Sequence, residues 1–271
     1  MGIARSTYYY KPKRKPPDME LAEKIEDIAL DYPYYGYRRI TAELKRQGFK
    51  VNHKRVLRLM RDKNLLCRAV RSFKATTDSS HGLKKYPNLI YDLVPCRIDQ
   101  LWHADITYIR IATSFVYLAA LVDGFSRKVI GYGLGKTLSA DLAVAALTDA
   151  ISKRHTSNLI HHSDQGIQYC SYEYVNILKD YGIAISMSAK ANPYDNAKIE
   201  SFFRTLKVEE VYMFEYETYK DVLERIPYFI EEVYNRKRLH SSLGYMPPEE
   251  FENINNKNMK GNESHQLILI S

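Results

Sequence analysis

Residues 101–135 read LWHADITYIRIATSFVYLAALVDGFSRKVIGYGLG. Three runs rich in β-branched and aromatic residues stand here, LWHADITYIRI (101–111), SFVYLAALVDG (114–124) and SRKVIGYGLG (126–135), parted only by turn-sized gaps. That pattern predicts an antiparallel meander. A helical stretch, SADLAVAALTDAISKR, follows from a cap at Ser139, and after it come a short strand NLIHH, a helix from Ser171 to about Tyr181, and a strand IAISMS. Strands and helices intermixed on one sheet predict an α/β or α+β domain.

Outside this block the composition sets bounds. The 271 residues, 45% hydrophobic and 27% charged, suffice for one good-sized core or two unequal ones. Cys67, Cys96 and Cys170 are odd in number and form no C-x-x-C pair, which argues against a disulfide framework and against a cysteine-rich zinc site. A reducing, cytoplasmic setting is the expectation. The start MGIARSTYYYKPKRK lacks a signal peptide's apolar core, and the longest apolar run, FVYLAALV, is too short to span a bilayer, so no membrane association is predicted.

Charge is unevenly shared. Residues 1–75 hold 19 Lys and Arg against 8 Asp and Glu, net +11, whereas residues 76–271 hold 21 against 24, net −3. Such an excess is the footprint of a polyanion partner or else a solvated basic surface, and charge alone does not choose between them. Three helices are predicted here. Leu21, Ile25, Ile28 and Ala29 recur at helical spacing before Pro33, and Ile40 and Leu44 do so before Gly48. The third helix opens at an Asn52 cap; its Val56, Leu59 and Met60 leave Lys54, Arg55, Arg58 and Arg61 to other faces, as a DNA-facing helix in a helix-turn-helix arrangement needs. A solvated basic helix has the same pattern. Periodicity lapses between Cys67 and Gln100, which reads as a linker or extended arm.

Three acids are placed by this reading. Asp105 falls in the first strand, Asp164 follows the fourth in HHSDQGIQY, and Glu200 sits in a helix read from NPYDNAKIESFFRTLK (192–207). Asn192 can cap that helix, Pro193 suits its first position, and Asp195 favours its positive end. Ile199, Phe202 and Leu206 form its apolar stripe with Phe203 at the edge, and Asn196, Glu200, Arg204 and Lys207 share a neighbouring face. Singly, each acid has an ordinary explanation that is favoured: a turn at Asp164, local bonding at Asp105, an i+4 pair between Glu200 and Arg204.

Together they are not independent. WHADITYI, HSDQGIQY and NPYDNAKIESFFRTLKVE, in that order and with 35 residues between the second and third acids, resemble the core of DDE transposases and retroviral integrases. The chain is most similar to the second-frame transposase of bacterial insertion sequences in the family named for insertion sequence three. GIARSTYYY, YGYRRITAELKRQG and YNRKRLHSSLGYMPPEEF (234–251) resemble that family's flanking motifs, so the likeness covers nearly the whole chain. It departs at His103 and Ala104, where the family usually has an apolar residue and Thr or Ser, and at Gly124, where an apolar residue is common.

The resemblance implies an α/β, ribonuclease-H-like catalytic domain, a mixed sheet flanked by helices, preceded by a helical, helix-turn-helix-like DNA-binding region. The expected division is 1–66 for the DNA-binding region, 67–98 for the linker or arm, 99–253 for the catalytic domain with a helical extension, and 254–271 for a flexible tail. The resemblance assigns Asp105, Asp164 and Glu200 as catalytic, metal-binding acids holding two Mg²⁺ ions, with Mn²⁺ able to substitute. Carboxylates are the hard ligands Mg²⁺ accepts, and two ions can serve both oxygens of an in-line displacement. It further implies that water frees a 3′-OH which then attacks another phosphodiester. The partners it implies are double-stranded DNA, a homo-oligomer on that DNA, and an upstream-frame DNA-binding protein or fusion, in the bacterial cytoplasm at the nucleoid. A catalytically silent DNA-binding regulator and a hydrolytic nuclease on the same fold are the alternatives.

DNA contacts are expected from Lys54, Arg55, Arg58, Arg61, Asn196, Arg204, Lys207, Arg236, Arg238 and His240. His161 and His162 point to opposite faces, so at most one can look toward Asp164, in a supporting or packing role. Paired His and Cys at close spacing are missing, and zinc is not expected.

Overall fold

The computed structural model describes residues 19–67, 82–188 and 196–257. The chain divides into two units, Met1–Ala69 and Val70–Ser271.

The first unit holds the three predicted helices, α1 (Met19–Asp31), α2 (Tyr37–Arg46) and α3 (His53–Asp62). Leu21, Ala22, Ile25 and Ile28 of α1, Ile40 and Leu44 of α2, and Val56 and Met60 of α3 are buried against one another, as their spacing requires. Gly48 ends α2 with φ of +90°, a conformation other residues rarely adopt. The Asn52 side chain accepts a hydrogen bond from the Lys54 amide at 2.9 Å, so the cap read from the sequence is present.

The second unit is built on one five-stranded sheet in the order β3-β2-β1-β4-β5. Its strands are β1 (Leu101–Arg110), β2 (Phe115–Asp123), β3 (Val129–Gly135), β4 (Ile160–Ser163) and β5 (Ala184–Met187). The first three form the meander; β4 joins β1 and β5 in parallel. This is the mixed, helix-flanked sheet of the ribonuclease-H-like class. Alternation along β2 sends Ala119 and Leu121 to one face, under α4 (Ala140–Lys153) and α5 (Tyr172–Asp180). Val116, Leu118, Ala120 and Val122 go to the other, under α6 (Ala197–Leu206) and α7 (Tyr219–Tyr228). Both helical layers bury continuous apolar faces, so each side chain of β2 from 116 to 122 except Tyr117 is removed from water.

Close approach of α4 depends on small residues. A Cβ on Gly131 of β3 would lie 2.4 Å from the Ala146 carbonyl oxygen and 2.7 Å from the Ala150 methyl. Alanine-rich α4 and glycine-bearing β3 are thus one fitted surface.

Residues 82–98, within the segment read as a linker or extended arm, lie along the sheet: the Ser186 hydroxyl accepts from the Leu89 amide at 2.9 Å, the Pro87 carbonyl accepts from Met187, and Ile90 is buried. They cover the β5 edge, which would otherwise offer unpaired strand groups. Residues 254–257, placed in the tail, continue a final helix, α8, over 248–257, because Glu252 is anchored in the body of the domain; 258–271 lie outside the described residues. The helix predicted from 192 begins at Ala197 with Asn196 at its N-cap. The roles given to Asn192, Pro193 and Asp195 lie outside the described residues. Among the described residues no helix is long and apolar enough to cross a membrane.

Candidate active site

β1 and β4 run in register only over Leu101↔Ile160 to His103↔His162. Two residues beyond the last of these pairs come Asp105, midway along β1, and Asp164, the residue after β4. Asp105 opposes Ala120 of β2 and therefore shares its face, the one covered by α6. Its carboxylate accepts from the Ile106 amide at 2.8 Å. Asp164 opens a tight turn, its Oδ1 accepting from the Gly166 amide at 2.8 Å, so the ordinary turn role and a site role coexist in one residue. A Cβ on Gly166 would stand 2.9 Å from that oxygen. Glu200 is exposed on α6, next to the buried Ile199, Phe202, Phe203 and Leu206 that fix the helix on the sheet.

The acids sense one another. Burial first, then the charges of Asp164 and Glu200, push the Asp105 carboxyl up to about 8, against the Ile106 hydrogen bond and the nearby Lys207 ammonium. Desolvation also raises Glu200. Beneath them the Tyr169 hydroxyl is buried without a partner and its pKa is driven well up by burial and then by Asp105. Carboxylates held together with so little positive charge fit a hard divalent cation by donor chemistry. Among the described residues no three His, Cys, Asp or Glu are placed so that together they could hold a metal ion.

The predicted DNA contacts divide. Lys54, Arg55, Arg58 and Arg61 are all exposed on α3. Arg204 is exposed on α6, and Lys207, half-buried, places its ammonium 4.7 Å from the centre of the Tyr108 ring. Arg236 is exposed and paired with Glu232 and Glu249. Arg238 and His240 must be corrected. Arg238 is 4% exposed and grips Glu209 through two hydrogen bonds of 2.8 and 2.6 Å; His240 is buried with its ring 4.7 Å from that of Tyr234. Asn196, 7% exposed, is likewise too buried for an open DNA face. An acid 29 positions away from Arg238 gives no sign in the local pattern.

The adjacent histidines do face opposite ways. His161 meets the Tyr174 hydroxyl at 2.8 Å, while His162 lies between the hydroxyls of Ser186 and Ser188 at 2.8 and 3.0 Å. Burial, with His162 as a lesser cause, lowers His161 to about 3, and burial lowers His162 to about 4, so both are neutral packing groups. At Gly124, one of the departures from the family pattern, a Cβ would lie 3.0 Å from the Leu101 carbonyl oxygen, so the close approach of β1 backbone favours glycine there. Sequence reasoning passed over Arg127 and Lys198, which act on His103 electrostatically. The only available signal for Lys198 was its place two residues before Glu200.

Comparison with known proteins adds to this geometry. Residues 16–73 match an HTH-like domain model, and 97–193 and 181–248 match two integrase core domain models. A 31 kDa protein of insertion element IS600 from Shigella sonnei is 36% identical over 258 residues, covering 92% of this chain and 95% of that one. The transposase InsF for insertion sequence IS3A from Escherichia coli K12 is 40% identical, over 82% of this chain and 77% of that one. The transposase for insertion sequence element IS904 from Lactococcus lactis is 36% identical, over 90% and 98% respectively.

Proposed function

The chain belongs to the family of insertion-sequence transposases with an integrase core, and from that premise we propose that Asp105, Asp164 and Glu200 carry metal-dependent DNA cleavage and strand transfer. The observation that carries this reading is the placement of Asp105 on the β1 face turned to α6, where burial first, and then the charges of Asp164 and Glu200, push its carboxyl up to about 8.

Asp105, Asp164 and Glu200 would hold a divalent cation, Mg²⁺ or Mn²⁺, whose charge would let the carboxylates ionise together and lower the cost of negative charge at a phosphodiester. The chain's own residues do the rest. Asp105, midway along β1, and Asp164, just after β4, each accept a backbone hydrogen bond, and Glu200 on α6 is the third acid of the proposed set. Arg204 and Lys207, one and two turns further along α6, present cations to the strand being cut. The half-buried Lys207 also offsets the charge of Asp105. Duplex DNA is the substrate, held in part by the exposed basic face of α3, and a 3′-OH released by water is the nucleophile of the joining step.

Glu200→Gln keeps size and polarity while removing an ionic ligand. It should abolish Mg²⁺-dependent cleavage and joining of labelled element ends, with unfolding temperature and duplex affinity unchanged. Moving the acid one place, as Glu200→Gln with Ser201→Glu, rotates it about 100° around the helix and should not restore activity. Near-native cleavage by Glu200→Gln would overturn the assignment. Release of cut DNA without joining would instead favour the hydrolytic nuclease.

A further inference from the structure

The far end of the β1–β2 hairpin carries an aromatic pair that neither apolar core includes. Tyr108 of β1 stands opposite Tyr117 of β2, and Arg110 opposite Phe115, so Phe115 is the diagonal neighbour of Tyr108 on one face of the hairpin. Their rings lie 5.4 Å apart at 89°, edge against face. Tyr108 is half-buried, whereas Phe115 is 46% exposed. Lys207, directly after α6, joins the pair with its ammonium 4.7 Å from the centre of the Tyr108 ring. β4 pairs with β1 only as far as His103, so beyond that residue this edge of β1 has no strand against it among the described residues.

A lone exposed ring needs no explanation, but a ring braced by a second one and flanked by cations does. Among the described residues Arg110 and Lys207 form no ion pair. The two acids that follow Lys207 most closely are taken, Glu209 by Arg238 and Glu210 by Arg225 and Tyr216. An aromatic surface beside unpaired cations suits a partner with a flat π-face and a phosphate, which is a nucleotide. A second copy docked here would bury those cations without acids to meet them.

The place of the patch follows from element geometry. Tyr108 lies three residues beyond Asp105, about 10 Å along a strand, and Lys207 seven beyond Glu200, about 10 Å along a helix. Each element thus runs from an acid to this patch over one length, about three steps of a stacked DNA strand at roughly 3.4 Å each.

We propose that Phe115, braced by Tyr108, is a stacking platform for an unpaired base on the strand cut at the acids, about three nucleotides from the cut, with Arg110 and Lys207 taking the adjoining phosphates. The identification of the strand as DNA rests on the function proposed above. A base can stack on a side chain only after leaving its own duplex stack, so the platform selects ends that open beside the cut and keeps the strand from sliding past the acids.

The full chain is tested in chelator, so that no strand is cut, against a paired duplex and against the same duplex with the last three nucleotides of one strand unpaired. The native chain should prefer the second probe. Phe115→Thr, at an exposed strand position that suits threonine, should reduce this preference roughly tenfold, the loss of one stacked base. Paired-duplex affinity and its salt slope should be unchanged, because no phosphate contact is removed. Phe115→Tyr keeps a ring and should keep the preference. An unmoved preference in Phe115→Thr would overturn the proposal. So would equal losses on both probes with a lower unfolding temperature, which mark a packing role, or a dimer that Phe115→Thr dissociates with both affinities unchanged, which marks a second copy as the occupant. If the native chain binds neither probe, the DNA reading of the whole molecule fails; if it cleaves element ends in Mg²⁺ yet shows no preference between the probes, the platform alone fails.

Discussion

At the scale of single residues, the same carboxylate can be a turn former and a site group, and Asp164 is both. Its Oδ1 is held by the Gly166 amide, and a methyl at 166 would stand 2.9 Å from it. Gly166 does not have a positive φ, so alanine there is compatible with the backbone and the crowding falls on the acid. Gly166→Ala should therefore leave unfolding temperature within a few degrees of native and reduce cleavage by roughly tenfold or more, as small misplacements at a reacting centre do. Equal activity would mean that Asp164 has slack its hydrogen bond does not suggest. Arg238 shows the opposite lesson. Its basic character within NRKRLH suggested DNA, yet it is buried on Glu209 through two short hydrogen bonds. Arg238→Ala leaves that acid uncompensated and should cost about 3 to 5 kcal/mol in denaturant unfolding. A variant that keeps full stability and loses only DNA affinity would restore the surface reading.

At the scale of elements, most of the architecture was legible because it is written in short-range periodicity. The three runs of 101–135 became β1, β2 and β3, and the stripe Ile199, Phe202, Leu206 became the buried side of α6. Asn52 caps α3 as its type and place suggested, whereas Ser139 occupies the N-cap of α4 without a side-chain hydrogen bond, so a residue's position was readable where its bond was not. What sequence could not show was fit between elements. Gly131 looks like a weakness in a strand until α4 is laid over it, with the Ala146 carbonyl 2.4 Å from where a Cβ would be. Backbone atoms cannot step aside as a side-chain end can. Gly131→Ala should lift α4 from β3, costing about 1 to 3 kcal/mol or more, or a fall of several degrees in unfolding temperature for a domain of this size. Ala150→Gly should not rescue it, since the Ala146 carbonyl remains. Rescue would show that methyl contact alone sets the spacing.

At the scale of the molecule, charge and closure are organised separately. The first 75 residues carry net +11 and the remainder net −3, so a chain beginning at residue 76 should bind duplex with a much shallower salt dependence than the full chain. Closure of the second unit depends on one long-range knot. Glu252 of α8 accepts from the Ser126 hydroxyl at 2.7 Å and from Arg154 through two bonds of 2.8 Å, 98 positions away in sequence, with Lys128 at 3.4 Å. Arg154 also binds Asp99 at 2.8 Å, joining the approach to β1 two residues before it starts, the end of α4 and the final helix. No local pattern announces such a knot, which is why 254–257 were read as tail. Burial alone would raise the Glu252 carboxyl, but Arg154, Ser126 and Lys128 outweigh it and hold its pKa below the ordinary value. The sign of the linkage follows: the folded state prefers the ionised form, so this contribution is complete above the unfolded pKa of roughly 4.3 and is lost as pH falls through the lower, folded one. Glu252→Gln keeps the shape but not the charge, leaving Arg154 to face a neutral amide. It should lower stability at pH 7 by about 3 kcal/mol or more, as breaking a buried pair does, and flatten the fall in unfolding temperature as pH drops below about 4.3. An acid limb as steep as that of the native chain would show that other carboxylates set the low-pH limit and that α8 is held by packing, with the ion pairs incidental.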